Sequence, residues 1–170
     1  MSIWEAVFLG FLQGATEFFP VSSSGHLVVG QKLLNLEIPG VQFEVAVHVA
    51  TLFSILVMYR RRLIDLVRGA LRRDSDAWRY VGLLATATVP AGITGVFFRD
   101  EVAALFESPF VTATAFLVTG AILWSTRRAP RREVRSKPGW RVALLIGFAQ
   151  AFALVPGISR SGTTVAMALW

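Results

Sequence analysis

The fourteen residues QGATEFFPVSSSGH, positions 13–26, govern how the rest of the chain is read. They follow an apolar run and place a carboxylate (Glu17), a proline (Pro20), three serines and a histidine (His26) in a chain that is otherwise mostly apolar. Proline stops a helix because it lacks the amide and its ring collides with the carbonyl one turn back. Serines restart one, since their hydroxyls accept from the free amides of a helix start. Residues 3–34 therefore read as two half-helices joined by a polar turn.

Composition says what surrounds that turn. Hydrophobic residues make up 54% of the 170 positions and mean hydropathy is +0.58, above the roughly 45–50% apolar share of a soluble domain. The expected solvent is lipid. Three stretches approach the ~20 apolar residues that a spanning helix needs: 43–59, 80–98 and 110–126. The first is short but ends at Tyr-Arg-Arg-Arg, whose long side chains can reach the interface.

The net charge of +6 is localised. Seven arginines fall between Arg60 and Arg79, and seven of the remaining basic residues between Arg127 and Arg141, leaving Lys32, Arg99 and Arg160. Both clusters flank apolar segments, so the positive-inside rule places both in the cytoplasm, the second as a loop at 127–141. The acidic segment RDEVAALFESP (99–109), one crossing from each cluster, then faces outside. This self-consistent topology argues against nucleic acid as a partner. No cysteine is present, which excludes disulfides and thiolate chemistry. The N-terminus lacks the basic region and cleavage site of a removable signal peptide.

A second interrupted segment lies at 142–155, ending at Pro156 and running into PGISRSGTT (156–164). Aligned without gaps, it pairs Gly10 with Gly147, Phe11 with Phe148, Gln13 with Gln150, Ser22 with Ser159, Ser24 with Ser161 and Gly25 with Gly162. Three spans between the copies make the repeat inverted. The expected fold is an all-α integral membrane protein: a polytopic helical bundle with an inverted-topology repeat and two re-entrant helical hairpins, whose tips meet near the midplane. The whole chain reads as one membrane domain, with 1–126 as the first repeat and 142–170 as the start of the second. By its own symmetry it looks unfinished, because three spans follow the first motif and only TTVAMALW follows the second.

Ionisable groups within membrane segments are costly and mark function. Glu17 and Arg160 are the two clearest. Arg160, with Ser159, Ser161, Thr163 and Thr164 around it, suits an anion, phosphate or pyrophosphate above all. In the first turn Ser23 or Ser24 offers a nucleophile and His26 a base or acid. Glu17 can orient His26, transfer protons or hold a divalent metal. Gln13 lies one helical turn before Glu17 and shares its face. His48, within a span, reads as structural or as support for the site from behind.

Both turns resemble the signatures of a known family, the bacterial undecaprenyl-diphosphate phosphatases of the bacitracin-resistance type. QGATEFFPVSSSGH is similar to that family's E/Q-x-x-x-E pattern running into P-V-S-S-x-G-H, and PGISRSGTT to its P-G-x-S-R-S-x-x-T; FEVAVHVATLFSILVMYRRRL (43–63) looks like its F-E-V span. The resemblance implies an enzyme of the bacterial inner membrane that removes the terminal phosphate from undecaprenyl pyrophosphate and so recycles the lipid carrier for peptidoglycan. It implies Glu17 as essential carboxylate, Ser23 as nucleophile, His26 as its partner and Arg160 as the pyrophosphate ligand. Gln13, Ser24, Ser159, Ser161 and Thr164 would complete substrate binding. It further implies a divalent cation, magnesium or calcium, at Glu17; the outward opening of the first hairpin puts the expected site on the extracytoplasmic side. Direct attack by water remains an alternative to Ser23. So does a homo-oligomer to a single copy, and a lipid-carrier flippase to an enzyme, since inverted repeats with broken helices also suit transport.

Overall fold

The computed structural model describes residues 1–36, 38, 41–129 and 138–170; of the expected basic loop, Arg131, Arg132, Arg135 and Lys137 lie outside the described residues. Among the described residues regular structure is all helical, as expected. The helices are α1 (Ile3–Glu17), α2 (Ser23–Leu33), α3 (Gln42–Met58), α4 (Arg60–Leu71), α5 (Ser75–Phe97), α6 (Arg99–Phe106), α7 (Pro109–Ser125), α8 (Trp140–Phe152) and α9 (Arg160–Leu169). A 3₁₀ turn, Thr126–Arg128, continues α7.

Among the described residues two helices are long and apolar enough to cross a membrane: Ser75–Phe97, and Pro109–Arg128 when α7 is taken with its 3₁₀ turn. They contain most of the expected spans at 80–98 and 110–126. The span expected at 43–59 is α3, 17 residues long, which reaches only about 26 Å at 1.5 Å per residue. It meets the apolar length test only together with α4, from which it is bent by 73° at Tyr59. Helix α4 was not anticipated, because its arginines read as flanking charge. α6 likewise occupies the acidic segment, where no helix was foreseen.

Packing is inverted relative to a water-soluble protein. The buried positions include Gln13, Gln31, Glu44, Thr112, Thr119, Ser159 and Thr163, with many small alanines, while Phe53, Phe97, Phe110, Leu117 and Trp124 are exposed. Lipid gives apolar side chains no reason to leave it. Helices in a membrane instead associate through small residues and polar contacts. This is a membrane protein.

Helix α5 carries Pro90 within its length, which has no amide to offer the carbonyl one turn earlier. In that turn the Ala87 carbonyl accepts from Gln150 Nε2 of α8 at 2.9 Å. Gly147 lets α8 lie against the same bend, since a Cβ there would stand 2.8 Å from Pro90 Cγ. Helix α7 supports the second turn from the other side: Thr119 Oγ1 donates to the Gly157 carbonyl (2.7 Å) and accepts from the Ser159 amide (3.0 Å).

The two turns touch directly. Gly157 has φ +99° and a Cβ on it would lie 2.5 Å from the Thr112 carbonyl oxygen; one on Gly25 would lie 2.8 Å from Gly157 Cα. Gly157→Ala is therefore expected to destabilise the protein by about 1–3 kcal/mol through overpacking, with backbone strain adding to it. Gly10→Ala, where nothing lies within 4 Å, should be neutral or slightly stabilising. Thermal unfolding of both variants in detergent checks the contrast.

Candidate active site

The two turns share one hydrogen-bonding pattern. In the first, Ser22 caps α2 by accepting from the Gly25 amide (3.4 Å), its Oγ lies 3.3 Å from Ser24 Oγ, and its carbonyl accepts from His26. In the second, Ser159 caps α9 by accepting from the Gly162 amide (3.0 Å), its Oγ lies 3.2 Å from Ser161 Oγ, and its carbonyl accepts from Thr163. Ser22 also accepts from the Gly157 amide at 3.1 Å, and Ser161 Oγ donates to the Phe19 carbonyl at 3.2 Å. Each turn thus supplies a partner to the other. Ser22 adopts φ +65°, an uncommon conformation for a residue with a Cβ; here its hydroxyl serves two amides at once. Ser23 and Arg160 hold matching places in the two turns, each the first residue of its helix.

A cavity of about 1060 Å³ opens beside the turns, and Glu17, Ser23, Ser24, Ser159, Arg160, Ser161 and Thr164 all line it. Glu17 Oε2 accepts from Ser23 Oγ at 2.6 Å and from Gln13 Nε2 at 2.7 Å. An O–H···O bond that short is typical of a hydroxyl held by a charged carboxylate. Gln13 is fully buried and does not reach the cavity, so it acts through Glu17. The backbone amides at the start of α9 and the Arg160 side chain make one end of the cavity suited to a tetrahedral anion.

Three sites differ from the sequence reading. His26 is not brought to Glu17 or to the cavity lining: its Nδ1 lies 2.8 Å from the Ser22 carbonyl and its ring packs edge-on against Phe116. It takes the place that Thr163 takes in the second turn, bonding the carbonyl of the capping serine. His48 is not remote from carboxylates, because its Nε2 lies 3.8 Å from Glu17 Oε2. Helix α3 brings it there from 31 residues further along the chain, and no local spacing signals that. Arg99 lines the same cavity as Arg160, and among the described residues neither guanidinium is hydrogen-bonded or paired with a carboxylate. The isolation of Arg99 from both basic clusters was the available signal for it.

Glu44 also lines the cavity while being only 4% exposed. Its Oε1 accepts from Gln31 Nε2 at 2.8 Å, and its Oε2 is buried without a partner. No local pattern signals this, since Glu44 stands at the end of a span where a carboxylate can meet headgroups.

The site and the fold define a polytopic α-helical membrane protein with a polar cavity built where two interrupted helical segments meet. The family model described as "Bacitracin resistance protein BacA" matches residues 6–170, and the chain belongs to that family. It is similar to the undecaprenyl-diphosphatase of Elusimicrobium minutum, 39% identical over all of this chain and 66% of that protein. It is also similar to that of Gemmatimonas aurantiaca, 39% identical over 97% of this chain and 64% of that protein. A third relative, the undecaprenyl-diphosphatase of Salinibacter ruber, is 43% identical over 100% of this chain and 67% of its own length. The chain thus spans about two thirds of these relatives.

Binding of inorganic pyrophosphate tests the anion site. Arg160→Ala is expected to weaken it roughly 10- to 100-fold, the equivalent of one charge-assisted hydrogen-bonding group. Arg99→Ala should weaken it less, because Arg160 is the one flanked by the hydroxyls of Ser159, Ser161 and Thr164 that line the same cavity. Titration calorimetry in detergent measures both; equal affinity in wild type and Arg160→Ala would remove Arg160 from the site.

Proposed function

We propose that this protein is an undecaprenyl-diphosphatase, a hydrolase that converts undecaprenyl pyrophosphate to undecaprenyl phosphate and inorganic phosphate. The observation that carries the reading is the convergence of Glu17, Ser23 and Arg160 on one cavity in an apolar helical scaffold. Membership of the BacA family and the names of the relatives support it. The activity recycles the lipid carrier for peptidoglycan and underlies bacitracin resistance. The protein resides in the bacterial inner membrane with its basic segments in the cytoplasm, the two hairpins re-entrant and inverted, and the cavity open to the extracytoplasmic side. The distribution of arginine supports that orientation.

Catalysis of phosphoryl transfer rests on positioning and on neutralising charge. Arg160 binds the diphosphate, with Ser159, Ser161 and Thr164 beside it. Ser23 Oγ attacks the terminal phosphorus; its proton passes to Glu17 Oε2, to which it is already bonded. The bond from that phosphorus to the bridging oxygen breaks, and undecaprenyl phosphate leaves. Water then attacks the phosphoserine, releasing phosphate and restoring the hydroxyl. Gln13 fixes the carboxylate by its own hydrogen bond. His26 holds the turn that presents Ser23 rather than the serine's proton.

A divalent cation fits this donor set. Among the described residues the hydrogen bonds to Glu17 come from Gln13 and Ser23, and the carboxylate has no cationic Lys or Arg partner, so it keeps its charge for a hard cation. Magnesium or calcium would be held there by one or two protein groups together with substrate phosphate oxygens. When bound, such a cation would offset the negative charge of the diphosphate.

Phosphate release from undecaprenyl pyrophosphate in detergent is the test. Arg160→Ala is expected to lower kcat/KM by roughly 10³-fold or more, Glu17→Gln to lower kcat by about 10²–10⁴-fold, and Ser23→Ala to abolish phosphoserine trapping. Binding of the lipid by a folded chain without release, coupled to its movement across a vesicle membrane, would make the protein a transporter instead.

A further inference from the structure

The His48 ring is held in a definite tautomer. Its Nδ1 lies 2.7 Å from the Glu44 backbone carbonyl, and a carbonyl only accepts, so Nδ1 carries the hydrogen. In the neutral ring Nε2 then has a bare lone pair, and it is Nε2 that faces Glu17 Oε2 at 3.8 Å. Two electron-rich atoms confront each other at a distance too long for a hydrogen bond. Something positive belongs between or beside them.

The surroundings of the pair sharpen this. Glu17 and Glu44 both line the cavity, and among the described residues neither has a Lys or Arg partner. Glu44 Oε2 is buried with no donor at all, an arrangement that is costly unless a cation lies near. Ring nitrogens that bind metals characteristically give their other N–H to a carbonyl or carboxylate, which fixes the ring. His48 does this through the Glu44 carbonyl. Two ligand atoms about 2.0–2.2 Å from a common metal lie roughly 2.8–3.6 Å apart for bond angles between a right angle and the tetrahedral one, so a closure of a few tenths of an ångström from the observed 3.8 Å would bring both onto one cation.

We propose that His48 Nε2 and the Glu17 carboxylate form the protein half of a divalent-cation site, completed by water and the diphosphate oxygens. A nitrogen ligand makes that site prefer a borderline first-row cation such as Mn²⁺ to Ca²⁺, because imidazole suits transition metals and calcium takes oxygen. The Glu44 backbone carbonyl sets the ring's orientation, and its carboxylate adds negative charge to the same cavity. The proposal deepens the phosphatase reading and rests on it for the identity of the diphosphate; the cation site itself is read from the side chains.

Pulsed electron paramagnetic resonance of the full chain loaded with Mn²⁺ in detergent tests it. A ¹⁴N coupling from a directly bound imidazole is expected in wild type and absent in His48→Gln. Mn²⁺ affinity should fall at least 10-fold in His48→Gln and His48→Ala, with Ca²⁺ affinity changing less than 3-fold, and Glu17→Gln should weaken both metals. Retained cooperative unfolding of each variant certifies the comparison, and His48→Asn serves as a further variant should one fail to fold. No Mn²⁺ binding, Mn²⁺ without nitrogen coupling, or equal affinity in wild type and His48→Gln overturns the proposal. Phosphate release measured on the same samples separates the two readings. Nitrogen-coupled Mn²⁺ with no release from the lipid diphosphate would leave the site and sink the phosphatase; release without that coupling would do the reverse.

Discussion

The bond from the Gly157 amide to Ser22 Oγ, made where two glycines let the turns meet backbone to backbone, is the contact on which the cavity depends. A helix broken inside a membrane exposes amides and carbonyls that no water can satisfy, so the break is tolerable only where protein supplies the partners. Here each turn satisfies the other. Ser22 serves Gly25 and Gly157, Ser161 serves the Phe19 carbonyl, and Thr119 of α7 closes both ends of the second turn. The side chains at the two helix starts, Ser23 and Arg160, are then held against one cavity without any need for a connecting loop.

That cavity is electrically divided. Glu17 and Glu44 give it negative charge with His48 beside Glu17, and Arg99 and Arg160 give it positive charge, with no carboxylate paired to either among the described residues. Left as a set of internal ion pairs, these groups would fill one another's needs. Held apart, they suit a ligand that is itself an anion and that brings or meets a cation, which is the chemistry of a metal-bound diphosphate. The buried, partnerless Glu44 Oε2 and Gln13 Oε1 belong to the same picture of a site whose polar groups outnumber their protein partners.

What was legible in the sequence follows a physical rule. Glu17, Ser23 and Arg160 stood out because a charge or hydroxyl cluster inside an apolar run has few reasons to persist other than function. The restarted helices were legible because Pro20, Pro156 and the serines after them act locally, through their own backbone. α4 was not, since a basic amphipathic helix and a flexible basic flank have the same composition. Nor was the bend at Tyr59 that separates α3 from α4, since it depends on how the two helices pack.

By itself, then, the sequence determined that the chain lives in lipid, that two helical segments are interrupted, and which residue types stand in the interruptions, because hydropathy, proline and serine capping are properties of adjacent residues. Only the tertiary structure decided which of them meet. It carried His48 on α3 to Glu17 on α1, turned His26 away to bond the Ser22 carbonyl, and brought Arg99 from the start of α6 to the cavity that holds Arg160. Those outcomes rest on helix packing and on the angle at which each helix leaves its turn, and neither quantity is written in any short stretch of residues.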